Sequence, residues 1–209
     1  MTTWADMRAQ STDESLRVYA TNILRDRTQE VAGYGVYLGN GLVLTAAHVV
    51  GSASKTKPSV HLANINLPAR AVQEGSYDWG EDLTLLSIDD EKLPVWLRMR
   101  RVQLCEKLPW AGEPVIVVTP EGTTRSTVAS PLIIPLWYRR RFPTIIKDVT
   151  GNSGAGVFDA SRKCLLGIMS RKIKGRSTGP DPDSQLKDLA TYFVPAWAIR
   201  SFIPPKSGF

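Results

Sequence analysis

The feature that most constrains the fold is a series of short apolar runs that recur along the chain with turn residues between them. Gly39-Asn40-Gly41 separates two such runs, and Asp159 to Lys163 separates another pair; both are typical of hairpin connections. Closely spaced short strands of this kind predict an all-β barrel or sandwich. The runs occupy residues 15–24, 33–38, 41–50, 59–68, 82–89, 102–108, 113–119, 127–134, 155–170 and 189–195.

The runs fall into two sets of similar size, joined by a connector near residues 93–101 that is rich in proline and arginine. Only segment 195–203 shows apolar residues at helical spacing, with a proline at its first turn, so it predicts a terminal helix. We therefore predict an N-terminal tail (1–14), an N-terminal β unit (15–97) and a C-terminal β unit that ends in the helix (98–209).

Composition excludes several classes of function. The 209 residues are 43% hydrophobic and 22% charged, which is ordinary for a globular protein, and the net charge of +6 permits an acidic partner without requiring one. Two cysteines and two histidines cannot build a Cys/His metal cluster, so we expect no zinc or haem role. The polar N-terminus lacks a secretory signal, and no window approaches a membrane span, which predicts a soluble cytoplasmic protein.

One serine lies in a tight cluster of glycines, in the stretch DVTGNSGAGVF at residues 148–158. A serine hydroxyl becomes a useful nucleophile only beside a base and beside donors for the oxyanion that forms. The glycines would let the backbone turn sharply and aim the N–H groups of Gly151 and Ser153 into one small space. The alternative is an ordinary turn, for which Gly-Asn-Ser-Gly is common chemistry.

A base and an acid for this serine are available at two other strand ends. His48 ends an apolar run that passes into small residues, whereas His61 lies in an alternating stretch that predicts a strand-face residue. Asp82 opens the next apolar run, with Asp78 and Glu81 as nearby competitors. Taken singly, His48 could be a core histidine and Asp82 a strand-start residue.

Together the three motifs Thr45-Ala46-Ala47-His48, Asp82-Leu83-Thr84-Leu85-Leu86 and Gly151-Asn152-Ser153-Gly154 resemble the chymotrypsin-like serine proteases, in which the triad runs His, Asp, Ser. The likeness is closest to the bacterial HtrA (Deg) branch and covers roughly residues 15–203. It implies two perpendicular six-stranded antiparallel β-barrels with a C-terminal helix and the triad in the cleft between them.

The resemblance also implies roles for these residues. Ser153 would attack a peptide carbonyl, His48 would move the proton, and Asp82 would orient His48. The N–H groups of Gly151 and Ser153 would form the oxyanion hole. The substrate would be a polypeptide, and no cofactor is implied.

The sequence departs from the family at three points. Asn152 stands where digestive and clotting members have an acid that pairs with a freed N-terminus, which weighs against that form of activation. HtrA proteins usually carry a PDZ domain after the protease, whereas this sequence stops a few residues beyond the predicted helix, so either the domain acts alone or the sequence is a fragment. Cys105 and Cys164 do not fall where a family pair is expected, so we expect two reduced, buried thiols.

The resemblance places the pocket for the residue before the scissile bond among Lys147, Asp148, Thr150, Ser170, Lys172 and Thr191. Thr191 and Lys172 would make this pocket shallow and favour small aliphatic residues such as Ala or Val. The alternative is a charged substrate side chain, because Lys147 and Asp148 lie near the expected pocket floor.

Three basic runs remain, at 98–101, 137–142 and 171–176. They are typical of solvated faces, but aromatic residues among them also allow a protease-fold module that binds an acidic partner or nucleic acid with little catalysis. A viral-type protease that processes a polyprotein is a further alternative. The ordered triad outweighs the basic runs, so a polypeptide substrate is predicted in preference to nucleic acid.

Overall fold

The computed structural model describes residues 12–26, 31–52, 54–77, 81–147, 152–175 and 187–205. Its strands form two closed barrels of six strands each, and every pairing is antiparallel, which confirms the predicted fold class. The first barrel has the strand order β1-β2-β3-β6-β5-β4 and closes where β4 pairs with β1. Its strands are β1 (Ala20–Leu24), β2 (Gly33–Gly39), β3 (Leu42–Thr45), β4 (Ser59–Leu62), β5 (Ile65–Glu74) and β6 (Thr84–Ile88).

The second barrel repeats this plan with the order β10-β11-β12-β9-β8-β7, and it closes where β7 pairs with β10. Its strands are β7 (Pro114–Thr119), β8 (Gly122–Ala129), β9 (Ile145–Ile146), β10 (Gly156–Asp159), β11 (Leu165–Gly175) and β12 (Lys187–Pro195). The predicted hairpin turns are confirmed: Asn40 joins β2 to β3 with φ 51°, and Lys163 precedes β11 with φ 59°.

Short helices connect these strands. They are α1 (Ala47–Val50), α2 (Val95–Arg98), α3 (Leu136–Arg141) and α4 (Ala196–Phe202), with 3-10 turns at Ser15–Tyr19, Asp90–Lys92 and Pro131–Ile133. The terminal helix is confirmed as α4, which buries Ile199 and Phe202. The other three helices span too few residues to show a period in the sequence. No helix among the described residues is long and apolar enough to cross a membrane.

Four of the predicted runs are wrong in part or in whole. Residues 15–19 and 131–133 form 3-10 turns, residues 47–50 form α1, and residues 102–108 form no barrel strand. Segment 102–108 is extended because it runs between the barrels and bonds to both: the Val102 N–H donates to Leu38 O, and the Cys105 N–H donates to Leu165 O. Burial of Val102 and Cys105 therefore produces the apolar pattern of a strand in a segment whose strand pairing is a single isolated bridge, between Leu104 and Leu165.

The expectation of two reduced thiols is also wrong. Cys105 and Cys164 form a disulfide with their Cα atoms 5.1 Å apart, within the usual range for such bonds. Cys105 belongs to the connector between the barrels and Cys164 to the turn before β11, so only the folded topology brings them together. The bond ties the connector to the second barrel.

The described end of the predicted tail docks on the second barrel. The Asp13 carboxylate is buried and accepts from Arg125 Nε and from Lys163 Nζ, each at 2.6 Å. Arg17 Nε donates to Pro120 O at 3.0 Å. The segment before β1 therefore links the first barrel, into which it leads, to the surface of the second barrel. The domain boundaries at residues 14 and 97 stay predictions.

Candidate active site

His48 and Asp82 lie side by side at the same end of two paired strands of the first barrel. His48 lies in α1, which begins where β3 ends, and Asp82 lies just ahead of β6, the strand that pairs with β3. The His48 backbone N–H donates to Asp82 Oδ1 at 3.0 Å, and His48 Nδ1 lies 2.8 Å from Asp82 Oδ2. A carboxylate only accepts, so Nδ1 carries the proton and Nε2 of the neutral ring is left as an acceptor toward the cleft.

Asp82 is fully buried, yet its surroundings favour the charged form. Ser170 Oγ donates to Asp82 Oδ2 at 2.6 Å, which adds a third donor to the two from His48. Burial raises the pKa of the Asp82 carboxyl, but the hydrogen bonds from His48 and Ser170 outweigh burial and hold the pKa below its ordinary value. The carboxylate therefore stays ionised at neutral pH and fixes the imidazole.

Ser153 is held in place by the first barrel as well as the second. The Tyr34 N–H of β2 donates to Ser153 O at 2.9 Å, and the Gly154 N–H donates to Met169 O at 2.8 Å. Gly154 has φ +85°, and a Cβ there would lie 1.9 Å from Tyr34 O. The glycine after the serine is thus required by both the backbone turn and the close approach of β2.

One cavity of about 320 Å³ brings the candidate residues together. His48 and Ser153 both line it, on opposite barrels. Ser153 Oγ donates to Ser170 O at 3.4 Å, and within the described ranges no hydrogen bond joins it to His48. Catalytic hydrogen bonds are often long or misaligned before substrate binds, so the lack of a direct bond is compatible with a serine and a histidine that act together.

The residues predicted for the substrate pocket divide into three groups. Ser170, Lys172 and Thr191 line the same cavity as Ser153. Lys147 does not line it: its side chain is exposed, and its carbonyl accepts from Ser126 Oγ at the edge of β8. The predicted pocket residues Asp148 and Thr150 and the predicted oxyanion donor Gly151 lie outside the described residues.

One contact at the cleft, between Tyr77 and Arg171, was not identified from the sequence. The Tyr77 ring contacts His48 edge-on, with ring centroids 5.2 Å apart. The Arg171 guanidinium lies 3.6 Å from the centroid of the Tyr77 ring and donates to Tyr77 O. Arg171 belongs to a predicted basic run, but nothing in the sequence indicates that it crosses the cleft to hold the residue that covers His48.

The second histidine is remote from this chemistry. His61 lies on β4, in register with Asn22 and Asn66, and its carbonyl accepts from Thr21 Oγ1. In the part of the chain that the structure describes, no three or more His, Cys, Asp or Glu side chains are grouped so as to hold a metal ion. His48, Asp82 and Ser153 are the candidate residues of this site.

Comparisons with known proteins identify the family and the fold of the chain. A family model described as a trypsin-like peptidase domain matches residues 33–168. Among solved structures, the inactive form of the Rv3671c protease of M. tuberculosis is similar at a TM-score of 0.61 and 17% identity, covering 96% of this chain and 94% of that one. No curated protein matches the sequence significantly.

Two further solved structures share the fold. The MamO protease domain of Magnetospirillum magneticum has a TM-score of 0.61 and 19% identity over 90% of this chain and 97% of its own. Neuropsin, a serine protease of mouse brain, has a TM-score of 0.62 and 17% identity over 91% and 96%. Sequence identities this low show that the two-barrel fold is shared. The chemistry of this chain depends on the residues at its own site.

Proposed function

Because the chain belongs to the trypsin-like peptidase domain family, we propose that it is a serine endopeptidase with Ser153 as nucleophile, His48 as base and Asp82 as the orienting acid. The observation that carries the proposal is the buried Asp82 carboxylate, which holds His48 Nδ1 at 2.8 Å in a cavity that His48 shares with Ser153. The family model contributes the class of reaction, and this geometry contributes the residues.

The proposed reaction begins when Ser153 turns its hydroxyl toward His48 Nε2. His48 takes the proton as Oγ attacks the peptide carbonyl, and the resulting imidazolium then protonates the leaving amine. Water repeats the sequence on the acyl-enzyme and releases the second product. The backbone N–H groups of Ser153 and Gly151 are the proposed donors to the oxyanion, and loss of one such donor costs about 10²–10³ in rate.

Asp82 supports each of these steps without changing its own protonation. Its lowered pKa keeps the carboxylate charged, so it holds the Nδ1–H tautomer and stabilises the imidazolium. Ser170 is a positioning residue in this scheme, because its hydroxyl fixes the carboxylate while its carbonyl contacts Ser153 Oγ.

We further propose that the pocket accepts a small aliphatic residue before the scissile bond. Thr191 and Lys172 both line the cavity that Ser153 lines, and we expect their side chains to narrow it beside Ser153. Digestion of a peptide library should give cleavage mainly after Ala and Val. Dominant cleavage after Arg, Lys, Asp or Glu would contradict this assignment.

Labelling with a fluorophosphonate probe tests the enzyme proposal directly. The native protein should become labelled, Ser153→Ala should not, and His48→Ala should label far more slowly because the base is gone. Ser201→Ala is the matched control, since Ser201 is an exposed serine that donates only to Trp197 O in α4. A native protein that neither labels nor cleaves any library peptide would overturn the proposal.

A further inference from the structure

Two of the basic runs in the sequence meet in the structure. Part of run 137–142 forms α3, and run 171–176 begins in β11. Together they line a cavity of about 440 Å³, called here the basic groove. Four cationic side chains and two aromatic ones line it: Arg141, Arg171, Lys172, Lys174, Tyr138 and Phe142.

The basic groove is continuous with the candidate active site. Arg171 and Lys172 line both cavities, so the positive wall begins beside Ser153 and continues along β11. Arg171 is fixed at this junction because its guanidinium lies between the Tyr77 ring, 3.6 Å away, and the Phe142 ring, 5.1 Å away. A polypeptide held at Ser153 would therefore pass the basic groove on one side of its scissile bond.

The edge of β11 that faces away from β12 indicates which side of the scissile bond lies against the basic groove. Residues 171–175 pair with β12 on one edge, and within the described ranges no other strand pairs with them. A peptide can add to such an edge through backbone hydrogen bonds. All strand pairs in this barrel are antiparallel, so an added peptide would place its C-terminal end at Ser170 and its preceding residues beside Lys172 and Lys174.

The charges along this edge are available to a ligand. Lys172 Nζ lies 3.1 Å from Asp188 Oδ2, with 38% and 36% of the two side chains exposed. Such an exposed pair contributes little and can exchange its partner. The Lys174 side chain is exposed at the next outward position, while Ile173 between them is buried.

We propose that the basic groove binds acidic side chains of the polypeptide substrate that precede the scissile bond. The inference rests on the proposed function, because it assumes that Ser153 marks the point of cleavage. The groove suits carboxylates better than nucleic acid: Phe142 is 3% exposed and packs on Tyr192 at a centroid distance of 4.9 Å, so its ring cannot stack on a base.

Binding to the Ser153→Ala variant tests the groove without requiring catalysis. Fluorescence anisotropy would compare labelled ten-residue peptides that carry Ala at the cleavage position and either two Glu or two Gln at the second to fourth positions before it. An exposed charge pair contributes about 1.5- to 5-fold in affinity, so the Glu peptide should bind about 10-fold more tightly. The difference should shrink in 0.5 M salt.

Substitutions in the basic groove test which side chains cause the difference in affinity between the two peptides. The Lys174→Gln variant should lose most of the affinity that one charge pair contributes. The Lys174→Glu variant should bind a peptide with Lys in place of Glu more tightly than the protein with Lys174 does. Lys55→Gln is the control, because Lys55 is an exposed lysine of the first half of the chain that lines neither cavity. In the native protein, kcat/KM for the same peptide pair should follow the same ratio.

Three results would overturn the inference: equal binding of the Glu and Gln peptides, an equal effect of Glu placed after the scissile bond, or a labelled single-stranded DNA 12-mer that binds the groove more tightly than the Glu peptide. These outcomes differ from failure of the proposed function. A protein that binds the Glu peptide but labels with no fluorophosphonate has the groove without the peptidase, whereas one that cleaves both peptides equally has the peptidase without the groove.

Discussion

Replacement of Asp82 by Asn should separate the role of the buried charge from that of its shape. The carboxylate accepts three hydrogen bonds, from the His48 backbone N–H at Oδ1 and from His48 Nδ1 and Ser170 Oγ at Oδ2. Asn offers one acceptor oxygen and one NH₂ group in the same place. If the oxygen keeps the backbone N–H, the NH₂ group donates to Nδ1 and moves the ring proton to Nε2, where it blocks acceptance from Ser153.

The opposite amide orientation is disfavoured, because it sets the NH₂ group against the His48 backbone N–H and leaves a buried donor unpaired, at a cost of about 1–3 kcal/mol. The substitution also removes the charge that stabilises the imidazolium. At a charge separation of about 4 Å and an effective dielectric constant of about 20, that term is about 4 kcal/mol. The sum of about 5–7 kcal/mol corresponds to a loss of about 10⁴–10⁵ in kcat.

The assay is kcat/KM on a quenched fluorogenic peptide at pH 7, with the melting temperature Tm measured on the same samples. Asp89→Asn is the control, since Asp89 is an exposed aspartate paired with Lys92 at 3.1 Å, and it should leave the rate unchanged. If Asp82→Asn keeps its Tm and loses less than about 10-fold in rate, Asp82 does not orient the base and the proposed triad is wrong.

Three further predictions concern the scaffold. Gly154→Ala should lower Tm by about 10 °C, because φ is +85° and the new Cβ would lie 1.9 Å from a carbonyl of β2; Gly122→Ala, with open space around it, should change Tm little. Joint replacement of Cys105 and Cys164 by Ser should cost about 4 kcal/mol, given their separation of 59 residues, and an unchanged urea midpoint would contradict this. Burial raises the pKa of the Asp13 carboxyl, but its two cationic partners lower it below the ordinary value. Asp13→Asn should therefore cost about 1–3 kcal/mol at pH 7, and the two proteins should converge as pH falls through the lowered pKa; a constant difference down to pH 2 would refute the linkage.

The fold and the placement of the candidate triad could be predicted because their signals are local. His48 follows an apolar strand that passes into small residues, and Asp82 opens the strand that pairs with it. Each position is set by a strand end, which hydrophobic patterning identifies. The signal from the glycines around Ser153 is also local. Gly154 is required by its own positive φ angle and by one close contact with the backbone of β2.

The remaining features depend on contacts between segments far apart in sequence. Ser170 lines the cavity beside Ser153, and its hydroxyl also donates to Asp82, 88 residues away, a contact that no local pattern in the sequence indicates. Lys147 is near Ser153 in sequence, yet its N–H bonds to Thr127 O of β8, so it follows the outside of the barrel instead of the cleft. The disulfide between Cys105 and Cys164 likewise joins residues that only the topology brings together.

The hydrogen bond from the Tyr34 N–H to Ser153 O has a consequence for biosynthesis. A chain emerging from the ribosome presents His48 and Asp82 early, but Ser153 cannot be seated until the second barrel forms against β2. Ser170 and β12, which complete the acid's hydrogen bonds and close that barrel, come later still. On the proposed function, a nascent chain of this kind would have no assembled nucleophile while its own unfolded segments are most exposed, so it would not cut itself during synthesis.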